Sequence, residues 1–350
     1  MRLTVVGTPG DRRVTLFAAA CARAGLAAPL VVPWRDVLGG RPLTVEGMLR
    51  IDSPGEDAEA NALLRGPGDA ARIGGGARWY RTFLDGLDRL RPYPSFADVG
   101  DIAVMFDKRA SHARLAAAGV PVPPALGPVG GYAELRERMA ETGFHRVFVK
   151  PAHGSSASGV IALQAAGGRI RAQTSAARDA EGWYNSLKVR AYTDEHEIAL
   201  LVDALAPDGL HVERWFPKAA LAGRVFDLRV VVVAGEPTHA VARTSRAPMT
   251  NLHLGGQRGD LAAVRAAIAW DAAMDVCARA AACFPNSTMV GVDLLVGVGM
   301  RGFAVAEVNA FGDLLPNLTG LPGTSAEGRD VYDAQVAAYL RTSGEVAVQG

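Results

Sequence analysis

Two segments near the C-terminus, VGVDLLV at 290–296 and FAVAEVNAFGD at 303–313, decide how this chain is interpreted. Both are rich in β-branched residues, and the glycines between them predict a β-hairpin. Glu307 and Asn309 are two residues apart on the second strand, so their side chains leave the same face. Asp293 lies 14 residues before Glu307, about where the partner strand passes. Three converging oxygen donors predict a Mg²⁺ site between carboxylates and nucleotide phosphates, although polar residues at the end of a hairpin would look the same.

Composition limits the kind of protein. The chain has 350 residues, enough for two or three domains with a sizeable core. Its 37 basic and 36 acidic side chains almost cancel, leaving a formal charge of +1, and no basic tract or long acidic run occurs. We therefore expect no nucleic-acid or membrane partner, and a substrate that is a small molecule or a peptide.

Cysteine usage and the N-terminal segment indicate the compartment. The three cysteines lie in alanine-rich stretches without CxxC spacing, as expected for small core residues in a reducing compartment. The segment MRLTVVGTPG has no signal-peptide core. The longest apolar stretch, 262–284, is interrupted by four charged side chains and predicts an amphipathic helix rather than a membrane span. We expect a soluble, cytoplasmic protein.

The order of predicted elements suggests an α/β protein in three parts. The chain opens with a βαβ pattern, which predicts a parallel sheet. The turn GTPGD lacks the glycine spacing of a dinucleotide-binding fingerprint, so a Rossmann dehydrogenase is disfavoured. We expect one helix over 105–118, a polar surface excursion at 172–190 and a strand near 197–202. The predicted units are an N-terminal α/β domain at 1–100, a small subdomain at 101–190 and a larger subdomain with the metal site at 191–345.

Lysines and a small-residue loop indicate phosphate binding. Lys150 ends the strand RVFVKP and precedes the loop HGSSASG at 153–159. Small residues let a loop fold closely over a ligand and direct N–H groups at phosphate oxygens, and a lysine supplies the matching charge. An ordinary hairpin turn is the alternative, but so many small residues favour phosphate binding. Lys108, in the first turn of the 105–118 helix, could reach a second phosphate or be a solvated surface charge.

The segment VERWFPK at 212–218 has the character of an adenine-binding hinge. Glu213 could accept a hydrogen bond from the adenine amino group, while backbone groups near Trp215 and Phe216 read the edge of the ring. A strand with packed aromatic side chains explains the same pattern equally well.

Two arginines and a loop suggest an anion clamp. Arg229 in FDLRVVVV and Arg243 in HAVARTSR are predicted on adjacent antiparallel strands, where their planar guanidinium groups could hold a carboxylate or an acyl phosphate. A cross-strand surface pair is the structural alternative. The loop TNLHLGG adds Asn251 and His253, which can hydrogen-bond a phosphate or a substrate; a single loop histidine is more often solvated.

Taken in order, these segments resemble the ATP-grasp superfamily. The chain looks most like its peptide-ligase branch, which includes glutathione synthetases, D-alanine–D-alanine ligases and protein glutamate ligases. The resemblance spans roughly residues 103–340 and implies an ATP-grasp fold, preceded here by the βαβ-type (pre-ATP-grasp-like) domain. The matching segments are DK…AGVPVPP, VFVKPAHGSSASGV, VERWF, FDLRVVVVAGEPTHAVART, TNLHLGG, GVDLL and EVNAFGD.

The resemblance implies a role for each segment. Residues 153–159 would form a flexible phosphate lid, and 213–216 the adenine hinge. Near the transferred phosphoryl group and the acyl substrate it implies Arg229, Arg243 and Asn251. The implied metal ligands are Asp293, Glu307 and Asn309. The implied ATP-binding residues are Lys108, Lys150, His153, Gly154, Ser155, Ser156, Ser158, Gly159, Glu213, Trp215 and Phe216.

Two departures from the family pattern bear on binding. Relatives usually carry an acidic residue for the ribose shortly after the hinge, but the segment PKAALAG at 217–223 has none. Ribose recognition is therefore left unassigned. Phe311 stands where the family often has a proline after EVN, which would reshape the substrate pocket beside the metal.

The resemblance implies ATP-dependent ligation of a carboxylate to an amine or thiol through an acyl phosphate, with release of ADP and phosphate. ATP and Mg²⁺ would be the cofactors, and Mn²⁺ could replace Mg²⁺. A small-molecule kinase would use the same lysines and metal ligands. A non-catalytic ATP-binding module would have lost the metal ligands, and all three are present here. A homo-oligomer is compatible with the sequence, which shows no interface.

Overall fold

The computed structural model describes residues 2–55, 57–69, 71–154, 158–312 and 316–348, with side chains through 341. Three sheets lie in this part of the chain, of three, five and six strands. The first belongs to an N-terminal domain, and the other two belong to a small and a large subdomain. None of the described helices combines the length and the hydropathy that a membrane span requires.

The N-terminal domain is built on the predicted βαβ pattern. β1 pairs in parallel with β2 and with β3, so the carboxyl ends of the three strands lie at one edge. All four residues of β1 are buried, as the continuous apolar run predicts. The strands are β1 (Thr4–Gly7), β2 (Leu30–Pro33) and β3 (Leu49–Ile51), and the helices are α1 (Arg12–Arg23), α2 (Trp34–Leu38), α3 (Ala58–Arg65) and α4 (Gly76–Leu90).

The single helix predicted over 105–118 is wrong, because the structure has two helices that meet at Asp107. α5 (Val99–Phe106) ends there and α6 (Lys108–Ala117) begins. Asp107 adopts an extended backbone, and its carboxylate accepts from the N–H groups of Arg109 and Ala110 at 2.9 and 3.4 Å. This cap ends one helix and starts the next. Lys108 is consequently the first residue of α6.

The small subdomain is an antiparallel five-stranded sheet in the order β7-β6-β5-β4-β8. Residues 172–190 form most of the β6–β7 hairpin instead of the expected surface excursion, and 197–202 lie in α8 instead of a strand. The sheet also passes the predicted boundary at 190, since β8 pairs with β4. The elements are α7 (Tyr132–Thr142), β4 (Arg146–Pro151), β5 (Ile161–Ala166), β6 (Arg169–Asp179), β7 (Gly182–Tyr192), α8 (Glu195–Leu205) and β8 (Leu210–Arg214).

The large subdomain contains the hairpin that was predicted first. β13 and β14 pair antiparallel with Asp293 opposite Glu307, and the register shifts just after Asp293, which leaves Ala306 as a bulge. β10 lies at the centre of this sheet, between β11 and β13. The elements are β9 (Ala220–Leu221), β10 (Arg224–Val233), β11 (Glu236–Ser245), β12 (Gln257–Arg258), α9 (Leu261–Ala267), α10 (Trp270–Ala282), β13 (Met289–Val296), β14 (Phe303–Asn309) and α11 (Val331–Val348).

The C-terminal helix ties the large subdomain back to the N-terminal domain. Tyr332 and Val336 of α11 pack in one core with Phe17 of α1. Gln335 of the same helix accepts a hydrogen bond from Arg50 of β3 at 3.0 Å. The contacts of α11 therefore join the N-terminal domain to the large subdomain.

Candidate functional site

A cavity of about 830 Å³, including its open mouth, lies between the small and the large sheet. The small subdomain supplies Lys150 and Glu213, and the large subdomain supplies Asp293 and Glu307. Phe148, Val160, Met249 and Leu295 add apolar surface. Apolar walls with a few convergent charged groups are typical of a cofactor site.

The two predicted phosphate lysines both line this cavity, and each is paired with an acid. Lys150 Nζ lies 2.5 Å from Glu213 Oε1, and Lys108 Nζ lies 3.2 Å from Glu307 Oε1. Lys108 also donates to the Gly154 carbonyl at 2.6 Å. The structure thus brings both lysines to one cavity, from β4 and from the N-terminus of α6.

Glu213 is held in a buried ionic cluster at the end of β8. Its second oxygen lies 3.2 Å from His211 Nε2. Burial alone would raise the pKa of Glu213, but the charge of Lys150 and the hydrogen bond from His211 outweigh it and bring the pKa to about 2. Glu213 is therefore an ionised acceptor, as an adenine amino group would require.

The hinge presents one of its two aromatic residues to the cavity. Phe216 is among the described side chains that line it, whereas Trp215 packs on Phe148 with ring centroids 5.1 Å apart. The N–H of Trp215 donates to the Arg146 carbonyl at 3.0 Å. Because that N–H already donates within the protein, the predicted backbone contact to adenine would have to come from other peptide groups of the hinge.

The predicted lid is described at both of its ends. Gly154 and Ser158 line the cavity, and Gly159 has a φ of +67°, which an L side chain rarely adopts. His153 is buried, and its ring stacks on Tyr80 of the N-terminal domain with centroids 4.0 Å apart. Burial lowers the pKa of His153, which favours its neutral form. Ser155 and Ser156 lie outside the described residues.

One face of the large sheet carries the polar residues predicted for catalysis. Arg229 of β10 stands directly opposite Asp293 of β13. Both Asp293 oxygens accept from Arg229, one of them at 3.0 Å from Nη2, and Arg243 Nη2 lies 3.1 Å from Oδ1. Burial would raise the pKa of Asp293, but the two guanidinium groups outweigh it and bring the pKa to about 2. Asp293 therefore fixes both arginines on this face.

Asp227 is a site residue that the sequence interpretation missed. It is buried at the centre of β10, where it accepts from Arg243 Nε at 2.8 Å and from the Thr250 hydroxyl. Lys218 Nζ, from just after the hinge, lies 3.6 Å away. Burial would raise the pKa of Asp227, but Arg243 and Lys218 lower it further than burial raises it. The sequence does carry a signal for Asp227. It lies two residues before Arg229 on the same strand, so both side chains must leave the same face of the sheet.

The predicted metal ligands differ in their surroundings. Glu307 is partly exposed at the cavity, and Asn309 Nδ2 donates to the Gly291 carbonyl at 3.3 Å. These two oxygen donors suit a hard cation, while Asp293 is already neutralised by arginines. In the described part of the chain, no cluster of three or more His, Cys, Asp or Glu side chains is placed to hold a metal. A cation here would therefore have Glu307 and Asn309 as its accessible oxygen donors, and Asp293 would join them only by sharing its oxygens with the two arginines.

The comparisons define the fold. No protein-family model and no curated protein matches the chain. Among solved structures, D-cycloserine synthetase DcsG aligns at 18% identity over 97% of this chain and 99% of that chain, with a TM-score of 0.57. The ATP-grasp ligase PsnB with its minimal precursor aligns at 15% identity over 97% and 98%, with a TM-score of 0.55. D-alanine–D-alanine ligase from Bacillus anthracis, complexed with ATP, aligns at 15% identity over 100% and 99%, with a TM-score of 0.50.

The chain has the ATP-grasp fold. The alignments include the N-terminal domain as well as the two subdomains, so the predicted fold class is confirmed over nearly the whole chain.

A second, larger cleft adjoins the cavity in this ATP-grasp fold. It has an empty volume of about 2070 Å³, including open solvent, and lies between the N-terminal domain and the polar face of the large sheet. Arg229, Asn309 and His253 line this cleft. The cavity and the cleft share four lining residues, which mark where the two spaces meet: Gly154, Arg243, Asn251 and Glu307.

Proposed function

We propose that this protein is an ATP-dependent ligase that joins a carboxylate to an amine or thiol through an acyl phosphate, releasing ADP and phosphate. One observation carries the proposal. The cavity between the two subdomains, to which we assign the nucleotide, opens into the second cleft at Arg243, Asn251 and Glu307. A nucleotide with its base beside Glu213 and Phe216 would have its phosphates at Lys108 and Lys150, next to that opening. The similar folds of D-cycloserine synthetase, PsnB and D-alanine–D-alanine ligase support the proposal.

The adenosine would be read by groups of both subdomains. Glu213, kept ionised by Lys150, would accept from the adenine amino group. Lys218 and Asp227 line the same cavity just beyond Phe216, and we assign the ribose hydroxyls to this pair. An acid on β10 would then do what the segment after the hinge cannot do, because 217–223 contains no carboxylate.

The reaction would take place where the cavity and the cleft meet. A substrate carboxylate oxygen would attack the terminal phosphorus of ATP, and ADP would leave. Arg229 and Arg243 would hold the resulting acyl phosphate through planar hydrogen bonds until an amine attacks its carbonyl carbon and phosphate departs. Asp293, Glu307 and Asn309 would hold Mg²⁺, which neutralises charge on the transferring phosphoryl group. The 153–159 segment would exclude water from the acyl phosphate.

Hydroxylamine trapping tests the proposal without knowledge of the amine. Purified protein would be incubated with Mg·ATP, hydroxylamine and individual carboxylic acids, and both hydroxamate and ADP would be measured. Ligase chemistry predicts hydroxamate in proportion to ADP for at least one acid. Glu307→Gln should abolish both products. ADP formed together with a stable phosphorylated product when hydroxylamine is left out would identify a kinase instead.

Nucleotide binding is tested separately by thermal stability. A ligand at 100 times its Kd adds about 2.7 kcal/mol to stability, so Mg·ATP and Mg·ADP should raise the melting temperature, and EDTA should reduce the effect. The absence of a response to any adenine nucleotide would contradict nucleotide binding and, with it, the proposed ligase. The substrate carboxylate could belong to a peptide as well as to a small molecule. PsnB and the macrocyclase MdnC, which have similar folds, were both solved with precursor peptides.

A further inference from the structure

One face of the small sheet carries a histidine beside two residues of the cavity. Lys150 of β4 stands directly opposite His211 of β8, and Phe148 stands opposite Glu213. Residues that face each other across two strands, or lie two apart on one strand, leave the same face. Lys150 and Glu213 line the cavity, whereas His211 is only 6% exposed and is not among the described residues that line it. His211 can therefore reach a nucleotide only through its neighbours.

Glu213 is held by two donors, one on each carboxylate oxygen. Lys150 Nζ lies 2.5 Å from Oε1, and His211 Nε2 lies 3.2 Å from Oε2. The carboxylate is buried, with 3% of Glu213 exposed, and a buried anion without a partner is strongly destabilising. If Lys150 turns to another anion, His211 is the partner that stays with Glu213.

The hydrogen bond fixes which nitrogen of His211 carries a proton. Glu213 is ionised, since its pKa is about 2, and an ionised carboxylate only accepts hydrogen bonds. Nε2 of His211 must therefore carry the hydrogen, which leaves the lone pair of the neutral ring on Nδ1. A proton added at Nδ1 would convert this hydrogen bond into an ion pair.

The surroundings keep the ring neutral in the absence of a nucleotide. The titratable groups that act on His211 are Glu213 on its own strand, Lys150 on β4 and His112 on α6, whose ring centroid lies 5.0 Å away. Burial lowers the pKa of His211, and the positive charges of Lys150 and His112 lower it further, while Glu213 raises it. The balance is a lowered pKa, so the ring is neutral near pH 7.

A nucleotide would change this balance in one direction. Phosphates at Lys150 would draw its ammonium group away from Glu213 and would bring negative charge close to His211. Both changes favour the charged form of the ring. The partly uncompensated charge of Glu213 would then be met by the imidazolium.

We propose that His211 is a positioning residue for the nucleotide, which keeps Glu213 in place for the adenine as Lys150 turns to the phosphates and takes up a proton from solvent at Nδ1. This inference rests on the proposed function for the position of the phosphates at Lys150. It predicts that nucleotide binding and proton uptake are coupled, so that affinity rises as the pH falls.

The test counts protons during binding. Mg·ADP would be titrated calorimetrically at about pH 7 in PIPES, HEPES and Tris, whose ionisation enthalpies differ, and the dependence of the binding enthalpy on the buffer gives the number of protons taken up. The unmodified protein should take up about half a proton more than His211→Gln, a difference in which the titration of the ligand itself cancels. Its affinity should rise about three- to tenfold between about pH 8 and about pH 6 relative to that of the variant. Adenosine has no phosphates to draw Lys150 away and should show no difference between the two proteins.

Two substitutions separate positioning from protonation. Glutamine keeps an N–H donor for Glu213 but takes up no proton, so His211→Gln should bind Mg·ADP within about threefold of the unmodified protein at about pH 8. Leucine removes the donor as well, and His211→Leu should weaken binding about tenfold at the same pH.

His239→Gln is the matched control. His239 is also a buried strand histidine, with Nε2 3.0 Å from the Arg329 carbonyl, but it is not among the described residues that line the cavity. This substitution should leave the proton count unchanged. Melting temperatures check that each variant is folded.

Equal proton uptake by the unmodified protein and His211→Gln would overturn the inference. Uptake that disappears in His112→Gln but persists in His211→Gln, or that is the same with adenosine, would also overturn it. Failure of the proposed function gives a different result. Proton uptake through His211 on Mg·ADP binding, with no hydroxamate from any acid, would leave the role of His211 standing and remove the ligase. Hydroxamate formation by a protein whose nucleotide binding takes up no proton at His211 would do the reverse, and absence of Mg·ADP binding would overturn both.

Discussion

Asp293 and Glu307 face each other across β13 and β14, yet the structure gives them different weight in stability. Asp293 is buried between Arg229 and Arg243, whereas Glu307 keeps 30% of its side chain exposed beside Lys108. We predict that Asp293→Asn lowers the free energy of unfolding by about 3 kcal/mol and that Glu307→Gln lowers it by less than about 1 kcal/mol. Both variants should lose ATP turnover.

The magnitude follows from the surroundings of Asp293. Its two arginines bring the pKa from the ordinary 3.8 to about 2, which corresponds to about 2 kcal/mol of stabilisation by the charge. Removing the anion also takes the shared carboxylate away from two largely buried guanidinium groups, and breaking a buried ion pair typically costs about 3–5 kcal/mol. We take a value between the two estimates, because the second arginine retains Asp227 as a partner.

Urea unfolding at neutral pH, followed by tryptophan fluorescence, measures the difference. Asp275→Asn is the matched control, since Asp275 pairs with Arg279 at 3.0 Å on α10 and keeps 66% of its side chain exposed. If Asp293→Asn unfolds within about 0.5 kcal/mol of that control, the stabilising role of Asp293 is refuted. Retained ADP release by Glu307→Gln with Mg²⁺ would refute the metal assignment instead.

Three further predictions concern other contacts. Glu213→Gln should lower the free energy of unfolding by on the order of 3 kcal/mol at pH 7. The difference in urea midpoint between the variant and the unmodified protein should shrink as the pH falls from the ordinary pKa of 4.5 towards about 2. A difference that does not change with pH would contradict this. If Lys218 binds the ribose, Lys218→Met should weaken ATP binding about tenfold, as measured by calorimetry. If Lys218 only pairs with Asp227, the substitution should change protein stability and leave the affinity for ATP unchanged. Asp208→Ala should cost about 1 kcal/mol in thermal unfolding, because Asp208 accepts from Gly76 and Ala77 at 2.9 and 3.1 Å and caps α4; an unchanged melting temperature would refute it.

Local patterns were enough to predict the hairpin and the face it presents. The period of two along β14 places Glu307 and Asn309 together whatever the rest of the fold does. The β-branched runs on either side of a glycine turn predict the β13–β14 pairing, which the structure confirms. The βαβ opening predicts the parallel β1–β2 pair in the same way.

Helix ends that are set by a capping carboxylate, and strand pairings between distant segments, were predicted less well. Residues with high helix propensity occur on both sides of Asp107 within 105–118, but its carboxylate caps α6 and separates it from α5. Residues 197–202 are apolar enough for a buried strand, yet Asp194 caps a helix there by accepting from Glu197 N–H at 2.8 Å. The pairing of β8 with β4 joins segments more than 50 residues apart, and no local pattern carries that information.

Asp227 shows why the site could be predicted only in part. The family pattern predicts a ribose acid along the chain just after the hinge, but the acid that pairs with Lys218 is Asp227 on strand β10. The same holds for the two lysines predicted to bind phosphate, whose partners Glu213 and Glu307 come from other segments. Among the described residues that line the cavity, each of these cations is thus balanced by an acid from another segment of the chain. Under the proposed function, nucleotide phosphates would compete with Glu307 for Lys108 and with Glu213 for Lys150. The affinity for ATP would then be the difference between two sets of ion pairs, and acid-to-amide changes should alter it as strongly as changes to the lysines.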